Sequence, residues 1–152
     1  MYVTIEEYKE YAESLNVKLP ALDDDVNAQL LKASEYIDSK DCFLIGTKAE
    51  RDQEYSYPRK NLVLGGFEYT PEEIPIIVKK CQMALALEIN SGIDIFEESG
   101  KLPIIKERVE GAVEVQYANP TKTELKQRSS VAMNLLRQLL KQKTHTIPLI
   151  RT

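Results

Sequence analysis

Any chemistry in this chain of 152 residues has to start from a short set of candidates. His145 is the only histidine, and no Cys, His or carboxylate cluster at metal-ligand spacing surrounds it, so neither a metal site nor a general base is specified there. Gly65-Gly66 runs into Phe67 and not into a Lys-Ser/Thr pair opening a helix, so it reads as a turn and not as a phosphate loop. Carboxylates are plentiful. Yet Asp23-Asp24-Asp25 stands where a helix start calls for an N-cap and negative charge, and Glu97-Glu98 reads as exposed loop. No two carboxylates stand out as an acid and base couple. The residues therefore predict a protein that binds, without catalytic residues, metal or cofactor.

Charge is the stronger signal. Residues 118–152 hold seven Lys/Arg against the single Glu124, a net +6, while the whole chain carries −4, which leaves −10 on the first 117 residues. A basic end on an acidic body suits nucleic acid or an acidic protein surface; a solvated helix face would read the same way. Eight tyrosines and no tryptophan complete the inventory of stacking groups.

These residues must be held by a body of ordinary size. The length fits one domain with its own core, and a composition 43% hydrophobic and 29% charged is that of a globular protein. No apolar run approaches the roughly 20 residues of a membrane span. The start, MYVTIEEYKEY, lacks the basic and apolar regions of a signal peptide, which predicts a cytoplasmic protein. Cys42 and Cys81 suit that compartment as free thiols, with a disulfide between them the less favoured alternative.

Four helices are predicted. Thr4 and Glu7 form a capping box ahead of Tyr8, Tyr11, Ala12 and Leu15, giving a helix over 4–15 that Asn16 stops. The three aspartates open a second, to about residue 39, with Val26, Leu30, Ala33 and Ile37 on one face. Pro75 cannot sit inside a helix begun at Thr70, so a single turn at 70–73 precedes a main helix from Pro75 to Ser91, closed by Gly92. Val78, Cys81, Leu85 and Ile89 make that helix the centre of the core. The fourth runs from about Thr123 to Lys143 on an Ala132, Leu135, Leu136, Leu139 and Leu140 stripe.

Between the third and fourth helices, IIKERVEGAVEVQYA alternates with period two around Glu110-Gly111 and predicts a short β-hairpin. Residues 40–74 show no sustained period although they are rich in apolar side chains, and read as a long irregular loop. The fold class expected is mainly α: a small bundle of about four helices with that hairpin, the loop and an extended C-terminal tail. Residues 1–143 form the domain, and 144–152, THTIPLIRT, form a tail that docks on a partner.

Taken in order, VTIEEYKEYAES, ALDDDVNAQLLKASEYIDS, Tyr57-Pro58-Arg59, Glu73-Ile74-Pro75 before VKKCQMALALEI, IIKERVEGAVEVQYA and the final PLIR resemble a phage family of small head-to-tail connector (adaptor) proteins. Some members of that family are labelled DnaT-like single-stranded DNA-binding proteins. The resemblance implies a structural protein of the virion, made in the bacterial cytoplasm and placed at the head-to-tail junction. Its partners would be the portal protein, copies of itself in a ring of twelve, and a tail or nozzle protein. Genomic DNA would pass through the channel without specific binding, and no membrane is involved.

On that reading Ile147, Pro148, Leu149, Ile150 and Arg151 add a strand to a sheet edge on the portal, with Pro148 placed where its missing N–H faces away from the ladder. Arg128, Arg137, Lys141 and Lys143 on the basic last helix meet acidic groups of the portal or a neighbouring subunit. Tyr55, Tyr57, Arg59, Leu62, Leu64 and Phe67 form a subunit or tail contact loop. The alternative is a DnaT-like single-stranded DNA binder, supported by the basic end and the tyrosines. Against it stand the acidic body, the absence of Trp and the lack of Lys/Arg-aromatic interleaving outside Tyr57-Pro58-Arg59-Lys60.

Overall fold

A computed structural model describes residues 1–96, 104–110, 112–117 and 130–141, with 104–110 and 112–117 described by their backbone alone. The fold is mainly α. Helix α1 spans Ile5–Ser14, and both halves of its capping box form: Thr4 Oγ1 accepts from the Glu7 N–H at 3.2 Å, and Glu7 accepts from the Thr4 N–H at 3.0 Å. Asn16, at φ 55°, takes the left-handed conformation that ends the helix. Helix α2 spans Asp23–Asp38. Its N-cap is Leu22, without a side-chain bond, so the three aspartates fill the first turn and complement the helix dipole but do not cap it.

Helix α3, Ile76–Asn90, follows a tight turn closed by the Glu73 N–H on the Thr70 carbonyl at 3.1 Å, and Pro75 stands just outside it as N-cap. It is the central element, packing on both α2 and α4. Val78, Cys81 and Leu85 are fully buried, and so is Gln82 on the same helix. The Gln82 side chain accepts from the Tyr2 N–H at 3.0 Å and donates to the Leu30 carbonyl at 2.8 Å, tying the N-terminal segment and α2 to α3. Lys79 joins α3 to α1 through Glu7 at 2.8 Å.

Residues 40–74, expected to be a long irregular loop, are mostly turns and bends, with short elements that their lack of period does not reveal. A 3-10 turn at Asp41–Phe43 leads to β1 (Thr47–Lys48), paired antiparallel with β2 (Arg59–Lys60), and then to a hairpin of β3 (Leu62–Leu64) and β4 (Phe67–Tyr69). Gly65 and Gly66, at φ 59° and 85°, supply the two positive φ angles of its tight turn. Strands of two or three residues are too short to leave an alternation in the sequence.

The hairpin of β5 (Ile104–Glu110) and β6 (Ala112–Tyr117) pairs Val109 with Val113 and Glu110 with Ala112, where the alternation places it. Helix α4 is shorter than its apolar stripe suggests, Val131–Leu139, capped by Ser130 Oγ accepting from the Met133 N–H at 3.1 Å. Leu140 is extended, at φ −88° and ψ 143°, because it forms an antiparallel bridge with Leu44. The Ile45 N–H donates to the Leu139 carbonyl at 2.9 Å and the Lys141 N–H to the Phe43 carbonyl at 2.8 Å. Lys141 therefore lies on this bridged segment and not on the helix. Of the predicted fourth helix, 123–129 and 142–143 lie outside the described residues.

Candidate functional site

The bridge between 43–45 and 139–141 brings together features far apart in the sequence. Phe43, at the end of the 3-10 turn, is 56% exposed. Lys141 lies beside it through the backbone bond above, and its Nζ donates to the Cys42 carbonyl at 3.3 Å. Lys40, whose carbonyl accepts from the Phe43 N–H at 2.8 Å, holds its ammonium 5.1 Å from the ring centroid of Tyr36 on α2. Phe96, 48% exposed, meets Tyr36 edge to face at 5.5 Å. The Tyr36 hydroxyl lies 4.0 Å from Met133 Sδ, which places this second aromatic group against the first half of α4. Arg137 is exposed on the same helix, its guanidinium 3.2 Å from Asn134 Oδ1. Exposed rings with cations beside them are the parts from which a stacking and phosphate-binding surface is made.

The electrostatics around the patch are mixed. Burial raises the Tyr36 hydroxyl above its usual range, and the charge of Glu88 adds to it. Burial likewise pushes the Cys81 thiol up to about 12, so Cys81 is a core group, whereas Cys42 is exposed. Residues 1–96 hold ten Lys/Arg and eighteen Asp/Glu, a net −8. The cations at the patch thus sit on a body of net negative charge, with Asp41 in the same turn.

The contact loop expected from the sequence divides by burial. Tyr57, Arg59 and Leu62 are buried in this chain's own core, which removes them as surface contacts. Tyr57 packs edge to face on Tyr2 at 5.9 Å, and Tyr55, half-buried, does the same at 5.8 Å. Leu64 is also half-buried. Only Phe67 offers a free face, 74% exposed, with Val63 at 50% on the facing strand of the β3–β4 hairpin. Arg59 is the largest departure, a buried charge paired with Asp41 at 2.5 Å. Its apolar flanks in the sequence, Tyr57 and Leu62, were the available hint. Ile147, Pro148, Leu149, Ile150 and Arg151 lie outside the described residues, as do Arg128, Lys143 and His145.

Two surface depressions of about 320 and 510 Å³ lie beside α1, one lined by residues such as Lys9, Glu13 and Val17, the other by Met1–Glu7 and Lys79. In the second, Thr4, Glu7 and Lys79 are already engaged with one another as the cap of α1 and the α1–α3 ion pair. Among the described residues no group of three or more His, Cys, Asp or Glu is placed to hold a metal, and no helix is long and apolar enough to cross a membrane.

No curated protein and no solved structure matches the chain. A family model does match, and its description is the DNA-binding label and not the connector one. Over residues 1–152, the chain belongs to the family described as "Putative DnaT-like ssDNA binding protein".

Proposed function

We propose that the protein binds single-stranded DNA, with little regard to sequence, through the surface built from Phe43, Lys40, Lys141 and Arg137. The observation that carries this reading is the bridge that sets Lys141 beside an exposed Phe43. The pairing of the end of α4 with the 41–46 turn supports the reading by setting one cation next to an exposed ring far from it in the sequence. A base stacks on the Phe43 ring while the Lys141 ammonium beside it, with Lys40 and the exposed Arg137 of α4, neutralises phosphates. Every base offers a π-face, so such a surface is tolerant of sequence. The family membership supports the same reading, and the acidic remainder of the body confines the nucleic acid to this end of the molecule.

The test is titration of a labelled oligothymidine of about fifteen nucleotides over a salt series. Single-strand binding loses roughly 0.7 in the slope of log K against log salt for each phosphate neutralised. Lys40, Arg137 and Lys141 together predict a slope of about −2 or steeper, since further cations of 118–152 can add to it. Salt-independent binding, or none at low salt, refutes the reading.

A second reading, the head-to-tail adaptor, is favoured by a different observation: Val63 and Phe67 expose apolar surface at a hairpin on an acidic body, which suits a protein contact better than a phosphate backbone. In that reading the partners are a portal protein, further copies in a ring and a tail protein, in a virion. Substituting Phe67 by Asp then abolishes co-purification with a portal while leaving the subunit folded. The DNA-binding reading predicts that no portal is retained by either form.

A further inference from the structure

We propose that Arg59 is the positioning residue of the Phe43 and Lys141 surface, acting through the turn that carries Phe43 and without touching the nucleic acid itself. Only the binding arm of this inference rests on the function proposed above. Arg59 lies on β2 and is 3% exposed, so it cannot reach a strand bound outside. Its guanidinium closes on the 41–46 turn from several directions. Nε donates to the Ile45 carbonyl at 2.9 Å, Nη1 to Asp41 Oδ1 at 2.5 Å and to the Ser56 carbonyl at 3.1 Å, and Nη2 to the carbonyls of Gly46 at 3.0 Å and Asp41 at 3.4 Å.

The consequence for the surface runs through one residue. Ile45 gives its carbonyl to Arg59 and its N–H to the Leu139 carbonyl, so the guanidinium and the end of α4 grip opposite sides of the same peptide segment. Two residues earlier, the Phe43 carbonyl receives the Lys141 N–H. Holding 45–46 and Asp41 at once therefore fixes both how Phe43 is presented and where the chain carrying Lys141 pairs. The close passage of the turn over β2 agrees with this: a Cβ on Gly46, at φ +77°, would stand 2.6 Å from the Lys60 carbonyl. A planar five-donor fork can satisfy acceptors on both arms of a turn together, whereas an ammonium on a flexible stem can meet only some of them.

The experiment compares the full chain with its Arg59→Lys variant by hydrogen exchange and by affinity for the labelled oligothymidine, each with and without Phe43→Ala. The clamp predicts that the amides of Ile45 and Lys141 exchange about tenfold faster in Arg59→Lys while those in the middle of α3 are unchanged. It also predicts an affinity about tenfold weaker with the same salt slope, because the cations at the surface are untouched. In the Phe43→Ala background the same substitution should alter affinity severalfold less, since the part of its effect that runs through the Phe43 ring is already gone. Equal losses in the two backgrounds, or unaltered exchange at Ile45 and Lys141, overturn the proposal. Should Arg59→Lys fail to fold, Asp41→Asn, which leaves the carbonyl bonds in place, answers both questions with smaller effects of the same sign. If the unmodified protein leaves the oligonucleotide free, the DNA-binding proposal fails and the exchange comparison alone decides the clamp.

Discussion

Replacing Phe43 by Ala and, separately, Lys141 by Gln should weaken DNA binding in two distinguishable ways. Phe43 lies at the end of a three-residue 3-10 turn with 56% of its surface exposed, so its removal leaves the core of Leu30, Leu85 and Leu136 untouched. What is lost is stacking, worth about 1–3 kcal/mol for a base on an aromatic ring, or roughly fivefold to 150-fold in affinity. The salt slope should not move, because no charge has changed. Lys141→Gln keeps the backbone bond from its N–H to the Phe43 carbonyl and so keeps the bridge. It removes one cation, which should flatten the slope by about 0.7 and weaken binding by about fivefold at 0.1 M relative to 1 M salt. Fluorescence anisotropy of a labelled oligothymidine at four or more salt concentrations reads both quantities. The reasoning is refuted if Phe43→Ala binds as tightly as the unmodified chain, or if Lys141→Gln leaves the slope unchanged.

Gln82→Leu should cost about 1–3 kcal/mol, because the buried Tyr2 N–H loses its acceptor while the Leu30 carbonyl keeps its helical bond; thermal melting should fall by about 2–4 °C per kcal/mol, and an unchanged Tm would contradict it. Tyr57→Phe should leave Tm unchanged or raised, since the buried Tyr57 hydroxyl has no partner among the described residues, and a clear drop in calorimetry would show that it has one. Iodoacetamide under native conditions should modify Cys42 and spare Cys81, whose thiol burial pushes up to about 12; mass spectrometry of the digested protein decides between one site and two. Burial raises the Asp41 carboxyl, but the Arg59 hydrogen bond and charge, with Lys48, outweigh it and hold it below its ordinary 3.8. Its contribution is therefore complete above that value and lost as the pH falls through the lowered one, so Asp41→Asn should flatten the acid limb of the stability curve below about pH 4 and leave its shape at neutral pH alone.

Much of the helical frame could be read from local rules. The Thr4 and Glu7 capping box, the exclusion of Pro75 from the helix it precedes, and the Gly92 stop each depend on residues within one or two turns. The hairpin at 104–117 was legible because seven- and six-residue strands are long enough to alternate. What escaped depends on partners distant in the chain. Nothing near Leu140 signals that it leaves the helix, because its reason is Leu44. Arg59 reads as a surface cation until Asp41, Ile45 and Gly46 are seen around it. The same limit governs the candidate surface. The absence of interleaved cations and aromatics counts against DNA binding in one dimension, yet the folded chain pairs Lys141 with Phe43 by a backbone bond that no local pattern signals.

Backbone amide NMR of the full chain during addition of the unlabelled oligothymidine tests the central claim most directly. The account predicts that the resonances of Lys40, Cys42, Phe43, Arg137 and Lys141 move together, saturably, and return as salt is added, while those of α1 and the Asp23–Asp25 turn stay in place. Shifts spread over the acidic body, or none at 43 and 141 under conditions where the oligonucleotide binds, would contradict it.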